Sequence, residues 1–131
     1  MDITSEQDLR KISSKKDTFK LETDITVSED FETIEEFNGT LDGQGHTIYN
    51  LNSAFIETLE KNSIVKNITF KQVELENELG LFYENNGEIQ SSSVKNVNIE
   101  NLDIEDIHKC GVIVKENYGK IEDCTVRDAD I

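Results

Sequence analysis

The chain has 131 residues, a formal net charge of -15 and no proline. This length fits one domain, and the apolar residues are numerous enough to build a core. The charge disfavours direct binding to nucleic acid or to an anionic membrane, because like charges repel.

The first residues, MDITSEQDLRK, are polar and acidic and lack the apolar stretch that a signal peptide requires. Nowhere does the chain contain the run of about 18 apolar residues that a membrane-spanning helix needs. We therefore predict either a protein that acts inside a cell, in the cytoplasm of its host, or a piece of a longer chain.

A short helix is predicted near the start of the chain. Ser5 stands shortly before Asp8, in a capping-box pattern, and Leu9 and Ile12 would share one helical face. We place the helix at about 5–13 and predict that it is a cap, because the first coil of a stacked fold exposes an apolar end.

The residues that follow have the pattern of strands. Residues 18–27 alternate apolar and polar side chains, which predicts a strand, a turn and a second strand. Residues 28–36 are acidic, with Phe31 and Ile34 as their large apolar anchors. The stretch at 37–52, FNGTLDGQGHTIYNLN, has two short β-type runs around a Gly-x-Gly turn, and we interpret it as the first full coil of a repeat fold.

One phrase of this stretch recurs along the chain. Altered copies of GHTIYNL, at 45–51, stand at 64–70, 93–99 and 125–131. Alignment of the copies on their Asn or Asp gives sequence offsets of 17, 29 and 32. A unit that recurs in this way predicts a solenoid of stacked coils.

The recurring unit has a physical interpretation. In Val-x-Asn-Ile-x-Phe, at 65–70, the apolar positions shift by one place at Asn67, which predicts a corner between two strands. Asn tolerates the left-handed backbone that such a corner needs, and stacked Asn side chains can hydrogen-bond to one another.

Two phrases, FNGTLDGQGHTIYNL and GLFYENNGEIQSSSVKNVNI, resemble the GLUG-type repeats of right-handed parallel β-helix proteins. The second phrase matches the repeat at Gly80, Leu81, Phe82, Asn85, Gly87, Ile89 and Val94, and a later copy retains Gly111, Asn117, Gly119, Ile121 and Val126. The resemblance covers residues 18–131. It implies a β-helix, and proteins with such repeats are mainly surface and adhesion proteins.

The predicted fold is therefore all-β. It is a short, single-stranded right-handed parallel β-helix, a solenoid, at 18–131, with an N-terminal capping helix within 1–17. At the far end, the repeat phrase runs to the last residue with no polar cap after it. An open end exposes strand edges, so we predict a homodimer stacked end to end. Its interface would include Val112, Val114, Cys124, Val126 and Ile131.

The sequence contains no catalytic pattern. His46 belongs to the repeat phrase and is interpreted as structural, whereas His108 has no recognisable partner. No nucleophile elbow, P-loop, HExxH motif or EF-hand loop is present, and the two arginines, Arg10 and Arg127, lie at opposite ends of the chain. We predict no enzyme activity, no cofactor and no metal site. A polysaccharide lyase or hydrolase is the enzyme class considered, since such enzymes also use β-helices, but the chain offers few bases for it.

Cys110 and Cys124 are the two cysteines of the chain. Their spacing matches neither a disulfide framework nor a metal motif. We predict that both are small apolar fillers in a reducing compartment.

The distribution of acids supplies the main functional hypothesis. Residues 21–60 contain ten Asp or Glu and neither Lys nor Arg. Stacked coils would arrange such acids in rows about 4.8 Å apart, which repel one another. The predicted partner-binding acids are Glu29, Asp30, Glu32, Glu35, Glu36, Asp42, Glu74, Glu76, Glu78, Glu100, Asp103, Glu105 and Asp106.

Rows of carboxylates on a rod resemble the phosphate backbone of DNA, as in another solenoid, the pentapeptide-repeat family. The first hypothesis is a DNA-mimic inhibitor, of anti-CRISPR or anti-restriction type, that binds the basic surface of a nucleic-acid-binding protein or nuclease complex. The alternative is an adhesion module that binds carbohydrate or protein, with Tyr49, Tyr83 and Tyr118 as candidate contacts. An acid-rich surface that only keeps the protein soluble is the simplest explanation of the charge.

Overall fold

The computed structural model describes residues 2–76, 81–100 and 114–130. These residues form one short helix, α1 (Glu6–Leu9), and fifteen strands. The strands are β1 (Asp2–Ile3), β2 (Thr18–Leu21), β3 (Ile25–Thr26), β4 (Ile34–Phe37), β5 (Thr40–Asp42), β6 (Thr47–Tyr49), β7 (Ile56–Leu59), β8 (Ile64–Lys66), β9 (Thr69–Glu76), β10 (Phe82–Asn85), β11 (Glu88–Gln90), β12 (Ser93–Glu100), β13 (Val114–Asn117), β14 (Lys120–Glu122) and β15 (Thr125–Asp130).

The strands form three parallel sheets. Sheet A has the order β1-β2-β5-β8-β11-β14, sheet B has β3-β6-β9-β12-β15, and sheet C has β4-β7-β10-β13. Each coil of the chain adds one strand to sheet A, then one to sheet B, then one to sheet C. The predicted all-β parallel β-helix with an N-terminal helix is therefore confirmed.

The register in sheet A shows where each coil begins. Thr18 lies opposite Thr40, and Thr40 lies opposite Ile64, so successive coils begin at these three positions. The next coil begins at Glu88, which lies opposite Ile64. It is the longest of these coils, because the position in register with Glu88 on the following coil is Lys120, 32 residues later. The first coil is β2-β3-β4, so the stretch at 37–52, predicted to be the first full coil, instead supplies most of the second.

Apolar side chains at equivalent positions stack into one core. In sheet A, Leu41 lies opposite Val65, and Val65 lies opposite Ile89, and all three are fully buried. Between the sheets, the ring of Phe55 packs 5.3 Å from that of Phe70, measured between centroids. The core is continuous because the β-branched and aromatic residues favoured in strands recur at the same inward position of every coil.

The corner predicted at Asn67 is confirmed. Asn67 lies between β8 and β9 with a φ of 55°. Ser91 and Asp123 hold the equivalent corners of the next coils, with φ of 47° and 51°. The left-handed conformation costs a non-glycine residue roughly 1–2 kcal/mol, and Asn and Asp reduce that cost through local hydrogen bonds. The sequence did not identify the corners at Ser91 and Asp123, because neither residue is Asn.

One of the three predicted repeat offsets matches the structure. Val94 lies opposite Val126, which confirms the offset of 32. The offset of 29 is wrong as a register, because Val65 lies opposite Ile89 and not opposite Val94. The offset of 17 is also wrong, because Ile48 belongs to sheet B and Val65 belongs to sheet A.

The same short phrase misleads because it occurs at two different bends. Asn67 forms the corner from sheet A to sheet B, whereas Asn50 follows β6 and bends sheet B itself, with a φ of 69°. Gln72, with a φ of 55°, continues that second bend in the next coil. A pattern of apolar spacing reports a bend in the chain but not which bend it is.

Stacked asparagines do hydrogen-bond to each other, at a position other than the predicted one. The Nδ2 of Asn85 donates to the Oδ1 of Asn117 in the next coil over 2.8 Å. The amide nitrogens of Gly87 and Gly119 donate to the Oδ1 atoms of Asn85 and Asn117 over 3.0 and 3.3 Å. Each Asn-x-Gly therefore closes its own turn and joins it to the next turn along the stack.

The N-terminal helix is shorter than predicted. It spans Glu6–Leu9 instead of 5–13, and the Oγ of Ser5 caps it by accepting the amide of Asp8 over 3.2 Å. Beyond it, the chain leaves the helical path, because the amide of Ser14 donates to the carbonyl of Glu36 in the first coil. The helix therefore ends early, because the chain after it hydrogen-bonds to the solenoid instead of continuing the helix.

This N-terminal segment packs on the first coil. Leu9 and Ile12 are fully buried in the common core, as the shared apolar face predicted. The carboxylate of Glu6 accepts the amide of Ser28 over 2.6 Å, and this hydrogen bond lowers the pKa of Glu6. Strand β1 adds to the edge of sheet A, where Ile3 lies opposite Leu21.

Small residues fill the turn that leads from sheet C to sheet A. A Cβ added to Gly87 would lie 2.4 Å from the carbonyl oxygen of Ser63, and one added to Gly119 would lie 2.1 Å from that of Gly87. The amide of Glu88 uses the same carbonyl, that of Ser63, over 2.9 Å. At Gly87 and Gly119, the coils can therefore approach each other this closely only because the residue has no side chain.

We expect Gly87→Asn to destabilise the fold more than Gly45→Asn does. At Gly87 the new side chain would overlap backbone, at a cost of about 1–3 kcal/mol or more. At Gly45 no atom lies within 4 Å of an added Cβ, so the cost is limited to that of holding Asn at a φ of 82°, about 1 kcal/mol or less. Urea unfolding of both variants measures the difference, and equal stabilities would contradict the steric explanation.

Candidate functional site

The outward side chains of the solenoid form columns along its axis. Residues in register in neighbouring strands lie about 4.8 Å apart, so a side chain on one coil is directly above its counterpart on the previous coil. The outward side of sheet C, which we name the acidic face, has two such columns. They are Glu35-Glu57-Tyr83-Lys115 and Glu36-Thr58-Glu84-Glu116.

Two adjacent residues of each sheet C strand face outward. In β4, Ile34 and Phe37 are buried, and Glu35 and Glu36 between them are exposed. The other three strands of the sheet repeat this arrangement of two outward residues, with Lys115 as the single base. The face therefore displays carboxylates of five residues, which are Glu35, Glu36, Glu57, Glu84 and Glu116.

The sequence located part of this face. Glu35 and Glu36 were predicted to bind a partner, whereas Glu57, Glu84 and Glu116 were missed. The signal for the missed residues lay in the register, because each aligns with an acid or a polar residue one full coil away in the chain. Local counts of acids along the chain do not contain that information.

A second group of predicted acids lies in the loop that leads into sheet C. Glu29, Asp30 and Glu32 are exposed, immediately before β4. Phe31 fixes this loop, because its ring is buried in the core and stacks 6.2 Å from that of Phe55, measured between centroids. The loop thus adds carboxylates next to β4, the first strand of the acidic face.

Asp42 lies on a different sheet from these acids. It belongs to sheet A, in register with Lys20 on one side and Lys66 on the other. Its Oδ1 accepts the Nδ2 of Asn67 over 3.2 Å and the amide of Gln44 over 2.9 Å. Sheet A therefore alternates the sign of its charges, and Asp42 is part of that alternation and not of the acidic face.

The remaining predicted acids belong to sheet B or lie outside the described residues. Glu74 is exposed on β9, and Glu76 lies in register with Glu100 of β12. Four predicted acids fall outside the described residues: Glu78, Asp103, Glu105 and Asp106.

Sheet B also contains a basic column. Lys71 lies in register with Lys95, and Lys95 lies in register with Arg127. Tyr49 precedes them in the column, and the Nζ of Lys71 lies 6.0 Å from the centroid of its ring. The charges therefore differ between the sheets. Sheet C is mostly acidic and sheet A has mixed signs, whereas sheet B contains this basic column and also the acids Glu74, Glu76 and Glu100.

His46 has the structural role that the sequence predicted. Its Nδ1 lies 3.2 Å from the Oδ1 of Asp24 in the previous coil, and the same oxygen accepts the amide of Thr47 over 2.9 Å. The hydrogen bond from Thr47 is the main cause of a lowered pKa at Asp24, and His46 adds to it. This contact joins two coils at the corner that leads into sheet B.

The described residues contain no group of three or more His, Cys, Asp or Glu side chains that could hold a metal ion. Within the same residues, no helix is long and apolar enough to cross a membrane. Cys124 is half-buried against the core, in agreement with its prediction as an apolar filler, and Cys110 lies outside the described residues. The absence of enzyme activity stays a prediction.

The residues predicted for the dimer and for adhesion are only partly described. Val114 is buried, and Val126 of β15 lies opposite Val94 of β12. Val112 and Ile131 fall outside the described residues, so the dimer stays a prediction. The three tyrosines do not share a face. Tyr49 is on sheet B, Tyr83 is on sheet C, and Tyr118 is in a turn with 69% of its surface exposed.

Comparison of the chain with protein-family models, with characterised proteins and with solved structures found no match. The resemblance to GLUG-type repeats therefore stays a prediction.

We expect Glu57→Gln and Asp42→Asn to change stability in opposite directions. Both remove one negative charge, but Glu57 lies in register with Glu35, whereas Asp42 lies between two lysines. The first change relieves repulsion and should raise the free energy of unfolding by roughly 0.2–0.5 kcal/mol, and the second should lower it by a similar amount. Urea unfolding at low and at high salt is the measurement.

The salt series provides the control for this pair of variants. Salt at about 1 M shortens the Debye length to roughly 3 Å, so the difference between the two variants should shrink there. Two variants of equal stability at low salt would show that the columns do not govern the electrostatics of the rod.

Proposed function

We propose that the protein is a non-enzymatic binding module that docks its acidic face on a basic protein surface. The basic surface is the nucleic-acid-binding groove of its partner, so the module is a DNA-mimic inhibitor, of anti-CRISPR or anti-restriction type. One observation carries the proposal. Five glutamates, Glu35, Glu36, Glu57, Glu84 and Glu116, stand in two adjacent columns on a single face of a rod.

The spacing of these charges suits mimicry of a phosphate backbone. Coils stack about 4.8 Å apart, and a DNA strand carries one phosphate per roughly 3.4 Å of helix axis. A groove of Lys and Arg side chains that accepts phosphates at that density can also accept carboxylates in rows. Binding would release the counterions of both surfaces, which makes the affinity dependent on salt.

The rigidity of the face also supports this function. The backbones that carry the glutamates belong to a continuous parallel sheet, and the residues beside them, such as Ile34, Phe37 and Phe82, are buried in the core. A partner therefore does not need to order the chain on binding. Pre-organisation of this kind lowers the entropic cost of association.

Segregation of charge gives the module an orientation. A basic groove is attracted by sheet C and by the loop with Glu29, Asp30 and Glu32, and it is repelled by Lys71 and Lys95 on sheet B. Complementary potentials steer an encounter and select one face of a molecule. The proposal therefore assigns the docking surface to sheet C.

The test is a binding assay against purified CRISPR effector complexes and restriction enzymes. We expect one of them to bind with an affinity that falls as salt rises, and duplex DNA to compete. The triple variant Glu36→Gln, Glu84→Gln, Glu116→Gln should bind roughly three- to hundredfold more weakly, because each exposed charge contact contributes about 0.2–1 kcal/mol. These three residues share one column of the acidic face.

A matched variant on sheet A is the control for charge alone. Asp42→Asn, Glu88→Gln and Glu122→Gln remove the same number of negative charges from sheet A, and this variant should bind nearly as well as the wild type. Equal losses in the two triple variants, or binding that duplex DNA does not reduce, would contradict the assignment of sheet C as a DNA mimic.

A further inference from the structure

A cavity of about 360 Å³ opens on the acidic face. Its lining among the described residues consists of Thr33, Ala54, Glu57 and Tyr83, and we name it the Tyr83 cavity. Thr33 directly precedes β4, Ala54 stands shortly before β7, and the other two residues are in β7 and β10. Three successive coils thus contribute to it, and its volume lies near the lower end of the range for ligand sites.

The walls of the Tyr83 cavity are held in place by the fold. The Oγ1 of Thr33 donates to the carbonyl of Ala54 over 2.7 Å and lies 3.2 Å from the Oγ of Ser53. Behind the cavity, the rings of Phe55 and Phe82 pack edge to face with centroids 6.0 Å apart. The wall of the cavity at Thr33 and Ala54 is therefore in place before a ligand arrives.

The side chains of the cavity combine an aromatic ring with a carboxylate. Glu57 and Tyr83 are in register in neighbouring strands, so their outward side chains lie about 4.8 Å apart along the column. Glu35 continues the column beyond Glu57, and Lys115 continues it beyond Tyr83, so the carboxylates lie on the Glu57 side of the cavity. A cation is favoured at such a place, because both the face of a tyrosine ring and a carboxylate attract positive charge.

Among cations, a guanidinium fits this arrangement best. It is planar, it stacks on aromatic faces, and it donates two parallel hydrogen bonds to one carboxylate. An ammonium group is compact and strongly hydrated, so it gains less from a ring. The small side chains of Thr33 and Ala54 leave room for an aliphatic stem beside the ring.

We propose that the Tyr83 cavity binds one arginine side chain of the basic partner. The guanidinium stacks on Tyr83 and donates to the carboxylate of Glu57, and its stem lies against Ala54. The inference rests on the proposed function, since it assumes a basic partner. It adds the place on the acidic face where that partner is anchored and the type of partner residue that binds there. It also separates the face into one site that recognises a shape and surrounding glutamates that supply charge.

The test uses an arginine-rich peptide and a lysine-rich peptide of equal length and charge as probes, with the full chain labelled for NMR. We expect the arginine-rich peptide to shift the ring signals of Tyr83 and the methyl signal of Ala54. Tyr83→Ala should weaken its binding about two- to fivefold at unchanged net charge, the change that a cation–π contact at an exposed site predicts. Tyr83→Phe should retain most of the affinity, because the ring remains.

Tyr49→Ala is the matched control, because it removes a tyrosine from sheet B. It should leave the affinity for the arginine-rich peptide unchanged, and the lysine-rich peptide should respond less to Tyr83→Ala than the arginine-rich one does. A circular dichroism spectrum of each variant confirms that it is folded. A folded Tyr83→Ala variant with wild-type affinity for the arginine-rich peptide would overturn the inference.

The two proposals fail in different ways. If the arginine-rich peptide shifts the signals of Tyr83 and Ala54 but no nuclease or DNA-binding enzyme binds, the cavity assignment holds and the proposed function is wrong. If an enzyme binds through the acidic face and Tyr83→Ala has no effect on it or on the peptide, the cavity assignment is wrong. Peptide shifts confined to other residues would also overturn it.

Discussion

The contact on which this structure depends is the stacking of backbone at the turn from sheet C to sheet A. Gly39, Ser63, Gly87 and Gly119 hold equivalent positions there, and the carbonyl of each of the first three accepts an amide of the next coil. At Ser63 and Gly87, the space above the carbonyl is too small for a Cβ. This constraint fixes the register of sheet A, and a fixed register determines which side chains share a column. The proposed function depends on these columns.

How much of the fold the sequence predicted depends on what its patterns encode. Alternating apolar residues and a recurring phrase were sufficient for a solenoid of strands, because strands and coils leave periodic signals, and the resemblance to GLUG-type repeats implied the parallel β-helix. They were insufficient for the register. Asn67 and Asn50 look alike in sequence, but one turns the chain between sheets and the other bends a single sheet. The offset of 32 was found because its coil repeats a longer phrase, with Asn117 and Gly119 in the positions of Asn85 and Gly87.

The candidate site was predicted in part for the same reason. Composition counts charges along the chain, whereas repulsion and binding depend on charges that are a full coil apart in sequence and adjacent in space. Asp42 stands in an acid-rich stretch, yet the fold places it between Lys20 and Lys66. Glu84 and Glu116 look isolated in sequence, yet the fold places them side by side.

The difference between the sheets is the strongest argument that the acids are functional. Sheet A shows that this chain can alternate the sign of charge from coil to coil, so that each column offsets its own repulsion. Sheet C does not use that solution: Glu57 follows Glu35, Glu116 follows Glu84, and Lys115 is the single base among its described outward residues. Acids that served only solubility would be mixed with bases on every face. Repulsion that is offset on sheet A and retained on sheet C is what the proposed binding function predicts, because carboxylates that contact a basic partner are not paired within their own column.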